Sequence, residues 1–192
     1  IQTFLGYNKV LSENPDDPIA LYKRGMFFFD SCDTEMAASD LAKFVLLSDD
    51  AVMLKNAYTV LGDISAIKNM YNDALVYYKK AYALQTADAE IYKRIGYMYY
   101  CNADYETAVI YYNRAIKIIK KSDFLYGRGL CYYALEKYKK ALSDFNACIF
   151  NYDISFNFCN FEFYEIRALT YDKMGNNDSA KIEYYNAARY RP

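Results

Sequence analysis

The chain reads as an all-α protein, a series of antiparallel helix pairs stacked side by side. Two observations lead there: an internal repeat with fixed offsets, and apolar residues at helical spacing within each copy. The repeat appears on anchoring at Gly96. Twelve residues later stands Ala108, four further on Tyr112, and three beyond that Ala115. The same offsets from Gly62 reach Ala74, Tyr78 and Ala81, and from Gly129 they reach Ala141, Phe145 and Cys148. From Ala168 they reach Ala180, Tyr184 and Ala187, with Pro192 five residues later; from Gly25, more loosely, they reach Ala37, Leu41 and Phe44. The anchors lie 37, 34, 33 and 39 residues apart. A period of this size marks stacked supersecondary units, none of which can bury its apolar face alone.

The first helix of each unit carries the anchor, with apolar neighbours at helical spacing as in Tyr92, Ile95 and Tyr99. A glycine inside a helix costs about 1 kcal/mol relative to alanine, so four in one phase need a compensating reason. Close packing supplies it: Gly96 and Ala108 let two backbones approach, Tyr112 fills the space beside them, and Ala115 admits the next unit. Turn signals separate the two helices. Gly175 suits a left-handed C-cap and the Asn176-Asn177-Asp178 run the next N-cap, and Asn102-Ala103-Asp104 does the same in an earlier copy. An aromatic opens the second helix at Tyr71, Tyr105 and Tyr138.

Counting back from Pro15, Tyr7 and Val10 fall where a second helix carries its aromatic and small residues. Residues 1–17 are therefore half of an earlier unit. The whole of 1–192 reads as one array, with units near 18–54, 55–88, 89–121, 122–160 and 161–192. That predicts eleven helices, one unpaired and five pairs, without strand. The longest departure from the period is Asn151 to Asn160, flanked and filled by Phe150, Tyr152, Phe156, Phe158, Phe161 and Phe163. It is either a lengthening of the adjoining helices or a protruding loop, packed on its neighbours or offered to a partner. The start, Ile1-Gln2-Thr3-Phe4, reads as a cut from a longer chain.

Composition narrows the function. A net charge of −1 gives no electrostatic footprint for nucleic acid. The lysine pairs at 79–80, 120–121 and 139–140 read as solvated helix faces. No apolar run nears the roughly 18 residues that insert in a membrane. The five cysteines have no CxxC spacing and the chain has no histidine, so neither a zinc site nor a Ser-His or Cys-His nucleophile is supported. Free, mostly buried thiols fit a reducing, cytoplasmic setting. Without a phosphate loop, a dinucleotide fingerprint or a recognisable acid/base pair, the reading is a non-enzyme with no catalytic residue, cofactor or metal.

The offsets resemble the tetratricopeptide repeat. Tyr58, Leu61-Gly62, Ala74, Tyr78 and Ala81 match its pattern, as do Tyr92, Ile95-Gly96, Tyr99, Ala108, Tyr112 and Ala115. Departures are Phe44 at a small position and Thr34 and Asn177 where an aromatic is usual. The resemblance implies a right-handed superhelical solenoid whose first helices line a concave groove. It further implies a scaffold that binds a peptide or helical segment of a partner protein there.

Carried onto this chain, the groove phase lies three residues before each anchor and one, four and five after it. That selects Tyr22, Met26, Phe29, Asp63, Lys93, Tyr97, Tyr100, Tyr126, Leu130 and Tyr133 as candidate contacts, with Glu165, Leu169, Asp172 and Lys173 in the last unit. Tyrosine suits such a surface, bringing large contact area and a hydroxyl that tolerates water. With 24 tyrosines in the chain, plain packing between units is the competing account. In this reading Lys93 orients an acidic group of the ligand and Asp63 a basic one. The clamp by which some family members hold a C-terminal carboxylate is not reproduced: Tyr97 and Gly127 stand at its asparagines, and Glu162 and Ile166 at its last two cations. A rival function is an assembly subunit, self-associating through uncapped terminal units and the 151–160 segment. A third is a helper domain for an enzyme elsewhere in a longer chain.

Overall fold

A computed structural model describes residues 4–85, 87–150 and 160–190. Among them the chain forms eleven α-helices and no strand, as the repeat predicts. They fall into two compact units, Ile1–Ile91 and Tyr92–Pro192. The 151–159 part of the aromatic segment, with Tyr152, Phe156 and Phe158, and Cys159 lie outside the described residues.

The first unit contains α1 (Phe4–Glu13), α2 (Pro18–Asp30), α3 (Thr34–Leu47), α4 (Ala51–Ile67) and α5 (Tyr71–Leu84). Helix α1 lies against α2, and α2/α3 and α4/α5 are hairpins around a core that includes Leu21, Leu41, Phe44, Leu61 and Ile64. Local chemistry sets the starts. Asp17 accepts a bond from the Ala20 N–H, with Pro18 in the first turn where its missing donor costs nothing. Asp50 accepts from the N–H groups of Val52 and Met53, so α4 opens at Ala51, ahead of the boundary drawn at 55.

The second unit takes α6 (Ala89–Cys101) from Tyr92 onward, then α7 (Tyr105–Ile118), α8 (Ser122–Ala134), α9 (Tyr138–Phe150), α10 (Asn160–Lys173) and α11 (Asn177–Tyr190). Its hairpins are α6/α7, α8/α9 and α10/α11. The small residues at the second-helix positions, Ala108, Ala115, Ala141 and Ala180, are all buried. So is Cys148, whose thiol lies 3.2 Å from the Ser122 carbonyl oxygen.

The anchor glycines make room for a ring rather than only for a backbone. A Cβ at Gly62 would lie 2.5 Å from the Tyr78 ring, and one at Gly129 the same distance from Phe145. At Gly96 the fit is looser, 3.2 Å to Tyr112 and 3.4 Å to the Ala108 carbonyl oxygen. Each ring comes from the residue sixteen further on. Where alanine replaces glycine, at Ala168, the corresponding Tyr184 is 38% exposed, against 1% for Tyr78 and 0% for Phe145. Its hydroxyl turns to donate to Asp172 instead. In this copy the alanine anchor and the exposed ring occur together.

A second rule links the residue before the anchor to the one fifteen after it. Arg24 pairs with Asp40, Arg128 with Asp144 and Arg167 with Glu183, across the two helices of three hairpins. In the two pairs with aspartate, Nε and Nη2 each donate to one carboxylate oxygen, the fork geometry that makes arginine pairs strong. Glu183 is a methylene longer and accepts only from Nη2, leaving Arg167 Nε and Glu183 Oε2 buried without a partner. The other two hairpins put Leu61 with Tyr77, and Ile95 with Tyr111, at these positions.

Candidate functional site

The first helices of the second unit, α6, α8 and α10, enclose a groove of about 770 Å³. Lys93, Arg94, Tyr97 and Tyr100 come from α6, and Asp123, Tyr126, Gly127 and Leu130 from α8. Glu162, Glu165, Ile166 and Leu169 come from α10, and Tyr112 of α7 reaches the floor. The lining is mainly apolar, and its volume falls in the range of sites that hold a few side chains.

Of the ten candidates, Lys93, Tyr97, Tyr100, Tyr126 and Leu130 come together here. Tyr97 is 52% exposed and its ring stacks on Tyr100, 16° from parallel at 6.4 Å. Tyr126 is half-buried, its ring 5.2 Å from Phe163 and 5.8 Å from Phe145. Burial, with Glu162 and Glu165 adding negative potential, pushes its hydroxyl up to about 12. Burial likewise raises Tyr100. Lys93 donates to Asp123 at 3.3 Å, so its charge is already used within the protein.

Tyr133 does not line the groove: it packs edge-on against Tyr138, 5.7 Å away. The remaining candidates belong to the first unit. Tyr22, expected on a groove surface, is instead a core residue, 7% exposed with its ring 5.1 Å from Phe44. The bulky Phe44 at a normally small position is what it packs on. Met26 and Phe29 are half-buried against the same core. Asp63 accepts the Tyr78 hydroxyl hydrogen at 2.6 Å.

The groove also uses residues outside the chosen phase: Arg94, Gly127 and Ile166 two before their anchors, Asp123 and Glu162 six before. Six before is one helical turn from three before, so this stripe was open to the same reasoning. Gly127 has a separate reason. A Cβ there would stand 2.4 Å from the Tyr112 ring and 2.5 Å from its hydroxyl oxygen. Tyr112 is therefore slotted beneath α8, with its ring 3% exposed. Burial raises its hydroxyl far above the ordinary tyrosine value.

Among the described residues no group of three or more acids or cysteines is placed to hold a metal ion. No described helix is long and apolar enough to cross a membrane. The groove offers shape, aromatic faces and carboxylates.

Helix pairs at this period with a lined groove define the class of helical-repeat interaction scaffolds. Residues 89–122, 122–149 and 161–192 each match the tetratricopeptide repeat. The chain belongs to the tetratricopeptide-repeat family, whose members serve as protein-interaction scaffolds. Human tetratricopeptide repeat protein 13 is 27% identical over 150 residues, covering 71% of this chain and 17% of that protein. This chain thus corresponds to a small part of that relative. YrrB, a TPR protein with an unusual peptide-binding site, superposes with a TM-score of 0.79 at 19% identity, covering 99% of this chain and 94% of that one. MamA from Desulfovibrio magneticus gives 0.79 at 14% identity, covering 91% and 95%. At such identities the likeness is one of fold.

Proposed function

We propose that the second unit binds an extended or helical segment of a partner protein in the groove between α6, α8 and α10. The observation that carries this reading is the half-exposed Tyr97–Tyr100 stack facing Leu130, Tyr126 and Leu169 across a cavity of about 770 Å³. Large aromatics at the centre of a contact are where binding energy collects. The same fold in YrrB carries a peptide-binding site, which supports the choice of ligand class. Truncating Tyr97 or Leu130 to alanine weakens peptide binding by about 2 kcal/mol, while Lys79→Ala and Lys139→Ala change little. Calorimetry with a bound peptide checks this on variants whose circular dichroism is unchanged. If the outward lysines matter and the groove residues do not, the groove is not the working surface.

Self-association is a second reading, favoured by α11, where Ile182 is 61%, Tyr185 67% and Tyr190 50% exposed. Light scattering across a concentration series separates the two: a mass that stays monomeric at high concentration removes the assembly reading.

A further inference from the structure

We propose that the groove selects a peptide segment bearing an arginine or lysine, whose cation lies over the Tyr97–Tyr100 faces and is met by Glu162 and Glu165. This rests on the groove reading above and names the chemistry that the groove recognises.

The charge accounting points this way. Two cations stand on the α6 edge, but Lys93 is held by Asp123 and Arg94 is itself engaged. On the opposite wall, Glu162 and Glu165 have no hydrogen-bond or ion-pair partner among the described residues. Carboxylates at the mouth of an apolar groove are strengthened by any cation brought in with little water. Glu162 also complements the α10 dipole from its first turn, but Glu165 lies beyond that turn and has no such role.

The floor contributes a polar group as well. The Tyr112 ring is nearly fully buried, and the residue lines the cavity. A hydroxyl at a cavity wall can donate to a carbonyl oxygen of a bound segment. The stacked tyrosine faces complete the set, since an aromatic face attracts a guanidinium or ammonium group.

The probe is a displayed library of random peptides, selected on the whole chain. Selected peptides are expected to share an arginine or lysine beside an apolar residue and to bind less well as salt rises. Glu162→Gln with Glu165→Gln should weaken them about tenfold or more, and Tyr112→Phe several-fold, with the thermal midpoint little changed. Peptides that lack a basic residue but still depend on Tyr97 and Leu130 overturn this proposal and leave the groove reading standing. Selection of no peptide, or of peptides insensitive to every one of these substitutions, overturns both. Arginine amide competing as well as the peptide would assign the groove to a small cation and overturn the choice of a protein segment.

Discussion

Single methyl and methylene groups accompany the sharpest differences between copies of the repeat. Alanine at Gly129 gains helix propensity of about 1 kcal/mol but must displace the buried Phe145 ring, an overpacking that costs about 1–3 kcal/mol. At Gly96 the Tyr112 ring leaves more room, so the two terms nearly cancel. Urea titration should therefore show Gly129→Ala clearly less stable than Gly96→Ala; the reverse order would remove the ring-slot argument. Gly96→Leu remains strongly destabilising in either case. Glu183→Asp shortens the odd carboxylate by one methylene and lets Arg167 donate twice, as in the two aspartate pairs. The expected gain is about 1 kcal/mol in the same titration, and a loss would mean the hairpins differ in spacing. Burial pushes the Cys131 and Cys148 thiols up to about 12, so both should resist a thiol reagent while the exposed Cys32 reacts. Peptide mapping after brief labelling distinguishes them.

The helices and their turns were the most legible layer, because each hairpin closes in the same way. The residue seven after every anchor is left-handed: Cys32, Asn69, Ala103, Glu136 and Gly175. The next N–H reaches back to a carbonyl five residues earlier, as from Asp104 to Tyr99. Gly175 announced its turn, and Asn102 and Asp104 flanked a second at Ala103; Glu136 gave no such signal, since a side chain there opposes the conformation. Ala103→Gly should accordingly raise stability by up to about 1 kcal/mol. The following position caps the second helix through Asp33, Asp104 and Asn176, but Met70 makes no side-chain bond. Met70→Asp should add about 1 kcal/mol, read from the thermal midpoint, and no change would mean that the Met70 turn admits no cap. The groove was half legible. Helical phase found Lys93, Tyr97, Tyr100, Tyr126 and Leu130, because first helices in the second unit present one stripe. It could not show that Tyr22 tips onto Phe44, that Lys93 is taken by Asp123, or that Gly127 admits Tyr112. Those are contacts across helices, set by side-chain volume rather than by period.

For the whole molecule, the pH profile of stability follows from which groups change charge on folding. The chain has no histidine, and the two thiols buried among the described residues titrate only near 12, so these account for no change through neutrality. The acidic side has two opposed contributions. Burial tends to raise Asp88, but the bonds from Lys55 and from the Ile91 and Glu90 N–H groups prevail, and its carboxyl lies below the ordinary 3.8. In that range the unfolded chain binds more protons, so Asp88 contributes stability above 3.8 that is lost as pH falls through its lower folded value. Glu183 has the other sign. Burial outweighs Arg167 and raises it above 4.5, so its ionisation opposes folding at neutral pH, and that penalty is relieved as pH falls towards 4.5. The thermal midpoint should be flat through the neutral range, rise slightly as Glu183 takes up its proton, and fall once Asp88 does. Glu183→Gln, which keeps the shape of the protonated carboxyl, should raise the plateau slightly and abolish the slight rise. A midpoint that moves by many degrees between pH 6 and 8 would require a group that titrates there, and would overturn this assignment.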